Sequence, residues 1–178
     1  DDTTALLACI SKAIADNRDV LIPCGSLVLS SAITDTDGRV TIRFEGSPTV
    51  RWNGANNTWV FDLSQHRSKL LGYFLLTPHT PAKEYLFNGI RCTASASRCV
   101  VSGFPQIYRA KNAINFTTVY GCEFEVDISQ ASDVGVYFQS EANANTVWAV
   151  GITGKTGTYG DTGIINQGSM NICKSQQL

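Results

Sequence analysis

A small residue followed by an aliphatic one recurs along the second half of the chain, as Gly89-Ile90, Ala113-Ile114, Gly135-Val136 and Gly163-Ile164, at steps of 24, 22 and 28 residues. A second apolar segment follows each about ten residues later, at Val100, Phe124, Trp148 and Ile172. A spacing in the low twenties is that of a parallel β-helix, in which each coil lays its strands on those of the coil before. The competing all-β arrangement is a sandwich, because short strands cut by turn residues suit both. Asp37-Gly38, Asn53-Gly54 and Asn88-Gly89 are hairpin-favouring pairs and argue locally for that alternative. The recurrence argues for the solenoid.

Only the start of the chain has a helical period. In "TTALLACISKAIADN" the apolar residues Leu6, Leu7, Ile10 and Ile14 share one face, and Asp2 or Thr3 is placed to cap the free amides. After Asn17 the chain becomes short apolar runs such as "VTIRFEG", "WVFDLS", "CEFEVDI" and "VWAVGI". A length of 178 residues with 43% apolar composition supports one continuous core. The 14 basic side chains nearly balance the 15 acidic ones, so no broad positive field favours nucleic acid. The longest apolar run, "LLGYFLL", is far too short to cross a bilayer, and the opening "DDTT" is unlike a basic, apolar leader. These features predict a soluble chain with no membrane insertion and no nucleic-acid partner.

The segment "DDTTALLACISKAIADNRDVLIPCGSLVLSSAI", residues 1–33, resembles the opening of the pectate-lyase-like β-helix superfamily. Members of that superfamily pair Asp and Thr ahead of an Ala/Leu-rich helix, a short aliphatic strand and a Pro-x-Gly turn. Within it, the chain is most similar in style to the bacteriophage tailspike and depolymerase group. The resemblance implies an all-β, right-handed parallel β-helix with an N-terminal capping α-helix. The chain is then one domain over 1–178, with the helix in 1–17 and coils over 18–178. "SMNICKSQQL" offers no matching cap at the far end, so a piece of a longer chain or a homotrimer of the tailspike kind is expected.

The acidic stretch 122–128 is the main candidate for chemistry. In an extended strand Glu123, Glu125 and Asp127 share one side, and Phe124, Val126 and Ile128 the other. Residues two apart lie about 6.5–7 Å from one another, a carboxylate separation suited to inverting glycoside hydrolysis. The other reading is a hydrated strand face on which Glu123 pairs with Arg98 of the coil before. Aligning the coils on Ile90, Ile114 and Val136 stacks Arg91, Asn115 and Tyr137 into an outward column suited to binding sugars. Trp148 is expected to point inward with Val150 and Ile152.

The remaining motifs are weaker. Cys9, Cys24, Cys92, Cys99, Cys122 and Cys173 contain no C-x-x-C pair, so no metal site is expected. They read as buried thiols, although a Cys9–Cys24 disulfide could tie the helix to the first strands. His66 and His79 look like exposed loop residues, and no nucleotide-binding motif occurs, so no cofactor is expected. The Asn-x-Thr triplets at Asn56 and Asn115 say little about compartment. The polygalacturonase motifs of the superfamily are absent, and that mechanism does not carry over.

The combined expectation is a phage tailspike-like protein, located in the virion tail. Its partner would be a bacterial surface polysaccharide, capsule or lipopolysaccharide, which it recognises and, in the enzymatic version, depolymerises. A ligand-free structural section of a fibre and a secreted polysaccharide-degrading enzyme of cellular origin remain the alternatives.

Overall fold

The computed structural model describes residues 1–35, 38–93, 96–154 and 162–175 and shows a parallel β-helix closed at one end by a helix. After α1 (Thr3–Ala15), the first coil carries β1 (Val20–Ile22), β2 (Ser26–Leu29) and β3 (Ile33–Thr34). The second carries β4 (Thr41–Phe44), β5 (Thr49–Trp52) and β6 (Trp59–Leu63), and the third β7 (Lys69–Leu71), β8 (Leu75–Pro78) and β9 (Asn88–Cys92). The fourth carries β10 (Val100–Ser102), β11 (Gln106–Tyr108) and β12 (Asn112–Phe116). The fifth and sixth have one long strand in place of the first two, β13 (Glu123–Ala131) with β14 (Val134–Phe138), then β15 (Thr146–Gly154) with β16 (Thr162–Asn166). A last strand, β17 (Ile172–Ser175), lies on β15.

Stacking the coils makes three faces. The first face runs β1-β4-β7-β10-β13-β15-β17, the second β2-β5-β8-β11-β13, and the third β3-β6-β9-β12-β14-β16. Every strand pair among the described residues is parallel, which overturns the local hairpin signals. Two of those glycines serve close approach instead of a tight turn. A Cβ on Gly89 would sit 2.4 Å from the Ala113 carbonyl oxygen, and one on Gly54 2.3 Å from both the Ser30 carbonyl and the Trp52 ring. Asp37 lies outside the described residues.

The third face has the register that the recurrence predicts. Ile33, Phe61, Ile90, Ile114, Val136 and Ile164 follow one another coil by coil, and all but Ile164 are buried. The first face is shifted by one residue at three of its four expected positions. Its inward column is Val101, Phe124, Val147 and Cys173, so Val100, Trp148 and Ile172 stand on the outward register. Each of these coils offers an apolar doublet, Val100-Val101, Val147-Trp148 or Ile172-Cys173, and hydropathy alone cannot phase a doublet. The preceding corner helps to set the phase through an asparagine ladder. Asn145 Oδ1 accepts the Cys122 amide at 2.9 Å, and Asn171 Oδ1 accepts the Asn145 amide at 3.0 Å.

The expected inward alternation Trp148, Val150, Ile152 is therefore wrong. Val147 and Ala149 are buried, then β15 gains a residue against β13 and Ile152 comes onto the core, while Val150 is half-buried. Trp52 is buried in the core, and Trp59 is half-buried under Arg91. Two aromatic groups fill the column. Phe44 and Phe74 lie 4.1 Å apart at their centroids with Phe61 beside them, and Phe116 stacks on Phe138 at 5.0 Å with Phe124 at its edge. Burying each such ring contributes roughly 1.5–3 kcal/mol.

Leu6, Ile10 and Ala13 of α1 cover the open end of the first coil, with Leu7 and Ile14 partly buried against it. The acids ahead of the helix act differently from expectation. Asp2 occupies the N-cap position but makes no side-chain cap. Its Oδ2 accepts the Val28 amide at 2.9 Å, Thr3 Oγ1 accepts the Ser30 amide at 2.8 Å, and Asp1 Oδ1 takes the Thr3 amide at 2.8 Å. The unpaired edge of β2 competes for these acceptors, and its amides would otherwise go unpartnered.

Candidate functional site

Two outward columns line the first face. One runs Thr41, Lys69, Val100, Glu123, Thr146 and Ile172. The other includes Arg43, Leu71 and Ser102, then Glu125, Trp148 and Lys174. Where β10, β13 and β15 lie side by side, a groove of about 390 Å³ opens, lined by Ser102, Glu123, Glu125, Thr146 and Trp148. Trp148 is 47% exposed there, and Lys174 Nζ sits 4.4 Å from the centre of its ring. A cation over the ring fixes an indole that is otherwise free in water.

The acids divide between two environments. β13 alternates as its sequence predicts, with Phe124, Val126 and Ile128 buried and the three carboxylates outside. Glu123 is exposed. Glu125 is half-buried, and its Oε2 accepts the Gly103 amide at 3.1 Å. Asp127 lies beyond the groove, on the second face beside Gln106, where its Oδ2 accepts Gln106 Nε2 at 2.9 Å. The structure thus brings Glu123 and Glu125 to the groove and commits Asp127 elsewhere. Among the described residues no Arg98–Glu123 ion pair forms; Val100, and not Arg98, is in register with Glu123.

The third-face column also stands in the expected register, with Asp62, Arg91, Asn115 and Tyr137 side by side. Its members are occupied with their neighbours. Arg91 grips Asp62 through two bonds of 3.0 and 2.5 Å and lies over Trp59 at 5.8 Å. Asn115 Oδ1 accepts from Gln139 Nε2 at 3.3 Å, and the Tyr137 hydroxyl donates to Gln167 Oε1 at 2.9 Å. A sugar on this face would have to displace those partners, whereas in the groove Trp148 remains 47% exposed with Lys174 over its ring.

Cys92, Cys99 and Cys122 converge from three coils, with all three Sγ atoms within 4.8 Å of one another and the residues fully buried. A search for C-x-x-C spacing misses them because only coil stacking unites them. Cys99 Sγ donates to the Gln65 carbonyl at 3.2 Å and Cys122 Sγ to the Ala96 carbonyl at 3.0 Å. Burial pushes the Cys92 thiol well up, the hydrogen bond with Cys122 pushes Cys99 up to about 12, and receiving bonds from Cys92 and Cys99 holds Cys122 below the ordinary range. These are core thiols, two of which donate to backbone carbonyls. Cys9 and Cys24 are free and exposed, so the conjectured disulfide is absent and the buried-thiol reading fails for this pair. His66 is exposed as expected, but His79 is half-buried with Nδ1 unpartnered.

Sequence reasoning missed Trp148, Thr146 and Lys174 as site residues because it had β15 and β17 each one residue out of phase. The signal that finds them is the asparagine spacing at Asn145 and Asn171, which marks equivalent corner positions.

Fold and groove together define the class of molecule, a parallel β-helix with a ligand-sized groove on its lateral face. No family model matches the chain, and no match was found to a curated protein or to a solved structure. Among the described residues no helix is long and apolar enough to cross a membrane.

Proposed function

We propose that this chain is a saccharide-recognition section of a tailspike-like fibre, binding a bacterial surface polysaccharide along its first face. The observation that carries this reading is the exposed Trp148 ring in direct register with Glu125, inside a groove that also holds Glu123 and Thr146. An aromatic face takes the C–H side of a pyranose, and carboxylates beside it accept the hydroxyl hydrogen bonds that fix its orientation. Coils repeat every ~4.8 Å, so a polymer of repeating sugars meets a repeating surface. Trimeric assembly and a place in the phage tail belong to this reading through the resemblance of residues 1–33.

Titration of capsule and lipopolysaccharide fragments onto the purified chain tests recognition. Trp148→Ala is expected to weaken binding at least about tenfold, the equivalent of ~1.4 kcal/mol. Unchanged affinity for every fragment that the parent chain binds would remove the groove from consideration. Glu123 and Glu125 also form the pair whose spacing suits inverting hydrolysis. Release of new reducing ends by the parent chain, lost in Glu125→Gln, is the expected signature of that activity, and binding without release marks an adhesin. Light scattering showing a stable monomer would contradict the trimer.

A further inference from the structure

The first face carries a second depression, of about 430 Å³, where the end of α1 meets the corners leading into β4 and β7. Arg18, Arg39, Arg67 and Lys69 line it together with Asp19 and Thr41. Among the described residues Asp19 is the one acid in that lining, and it is engaged, with Oδ2 2.5 Å from Arg43 Nε. None of the four cations forms an ion pair among the described residues. A chain of formal charge -1 therefore gathers four of its 14 basic side chains around one hollow, none of them paired with a carboxylate among the described residues. Like charges repel, so such an arrangement favours a bound anion.

The hollow is held in shape by the fold. Ser64, Gln65 and Ser68 are hydrogen-bonded to the buried Asp35 carboxylate, which fixes the corner bearing Arg67, and the Arg67 amide donates to the Ser97 carbonyl at 3.0 Å. Its position on the face is equally informative. Thr41 and Lys69 begin the outward column that continues through Val100 to Glu123 and Thr146 in the Trp148 groove. Lys69 and Thr146 are three rungs apart, roughly 14 Å at the usual strand spacing, a distance that a few linked sugars span.

We infer that the polysaccharide is an acidic one, whose carboxylate, sulfate or phosphate group enters the hollow formed by Arg18, Arg39, Arg67 and Lys69 while its neighbouring sugars extend towards Trp148. This inference rests on the saccharide-recognition reading above and adds the charge class of the ligand. Planar guanidinium forks bind carboxylate and phosphate oxygens in pairs, and Lys69 adds a point charge at the mouth of the column.

The test compares dextran, dextran sulfate and polygalacturonate on the parent chain, on Arg39→Gln/Arg67→Gln and on Trp148→Ala, each checked for parental circular dichroism. The parent chain is expected to prefer one or both charged polymers over dextran by about tenfold or more at low salt, with the preference shrinking as salt rises. Removing the two arginines is expected to cut charged-polymer binding about tenfold and flatten its salt dependence, leaving dextran binding unchanged. Equal affinity for all three polymers, or a double variant that binds charged polymers as the parent does, overturns the inference while leaving saccharide recognition intact. Loss of charged-polymer binding in the double variant with no effect of Trp148→Ala supports the anion hollow and overturns the groove reading.

Discussion

The buried carboxylate of Asp35 gives the sharpest test of how the coils are held together. Asp35 is 1% exposed, and its Oδ1 accepts the Ser64 amide at 2.6 Å and the Ser64 hydroxyl at 2.9 Å. Its Oδ2 accepts the Gln65 amide at 3.1 Å and the Ser68 hydroxyl at 2.5 Å, and Ser68 Oγ in turn accepts the Val40 amide at 3.1 Å. One side chain at the end of the first coil thus ties together the corner of the second coil and the start of the third. In Asp35→Asn the Oδ1 side can persist, but the new NH₂ faces the Gln65 amide, donor against donor. One hydrogen bond to a charged acceptor is lost outright, worth about 1.5–3 kcal/mol, and the opposed donors raise the cost to about 2–4 kcal/mol. Asp35→Ala removes all four bonds, and because Ser64 and Gln65 are partly reachable by water the expected loss is about 3–5 kcal/mol. Equilibrium urea unfolding, followed by circular dichroism and by tryptophan fluorescence, measures both, provided the two probes coincide. The same variants are expected to weaken polyanion binding, because the corner they loosen carries Arg67. An Asp35→Asn protein within about 0.5 kcal/mol of the parent would refute the clamp.

Three further outcomes follow from the geometry. Gly72 has φ +97°, and a Cβ there would lie 2.2 Å from the Phe44 carbonyl oxygen, so Gly72→Ala is expected to cost about 2–4 kcal/mol in a denaturant titration. Gly25→Ala, with φ +136° and nothing within 4 Å of the new methyl, is expected to cost less. With a thiol-reactive dye, Cys9 and Cys24 are expected to label in the native state and Cys92, Cys99 and Cys122 only in denaturant; a native protein whose Cys9 and Cys24 do not label would contradict the free, exposed state. Burial pushes the Cys173 thiol from 9.0 up to about 11, so the folded state holds its proton more tightly than the unfolded chain. Its contribution is complete below pH 9 and is lost as pH rises towards 11; a stability–pH slope across that window that is not reduced by Cys173→Ser would exclude burial of Cys173 as its source.

The coil architecture was legible because its signals repeat. Gly89-Ile90, Ala113-Ile114, Gly135-Val136 and Gly163-Ile164 place one inward residue per coil, and the third face stacks them as the spacing predicts. The helix that caps the first coil and the in–out alternation of β13 were legible for the same reason, since each depends on a period within one segment. Stacking also made the Arg91, Asn115 and Tyr137 column predictable.

Local sequence by itself determined which segments are extended, which side of each is apolar and how long a coil is. Tertiary structure alone decided the phase of doublets such as Val147-Trp148, and with it whether an indole faces core or water. It alone brought Arg18, Arg39, Arg67 and Lys69 to one hollow and three cysteines to one corner, because residues from different coils meet only once the coils are in register. Periodicity reports a residue's environment along its own strand. Which residue of a doublet faces the core depends on contacts between coils, such as the hydrogen bonds of Asn145 and Asp35, which the alternation within one strand does not report.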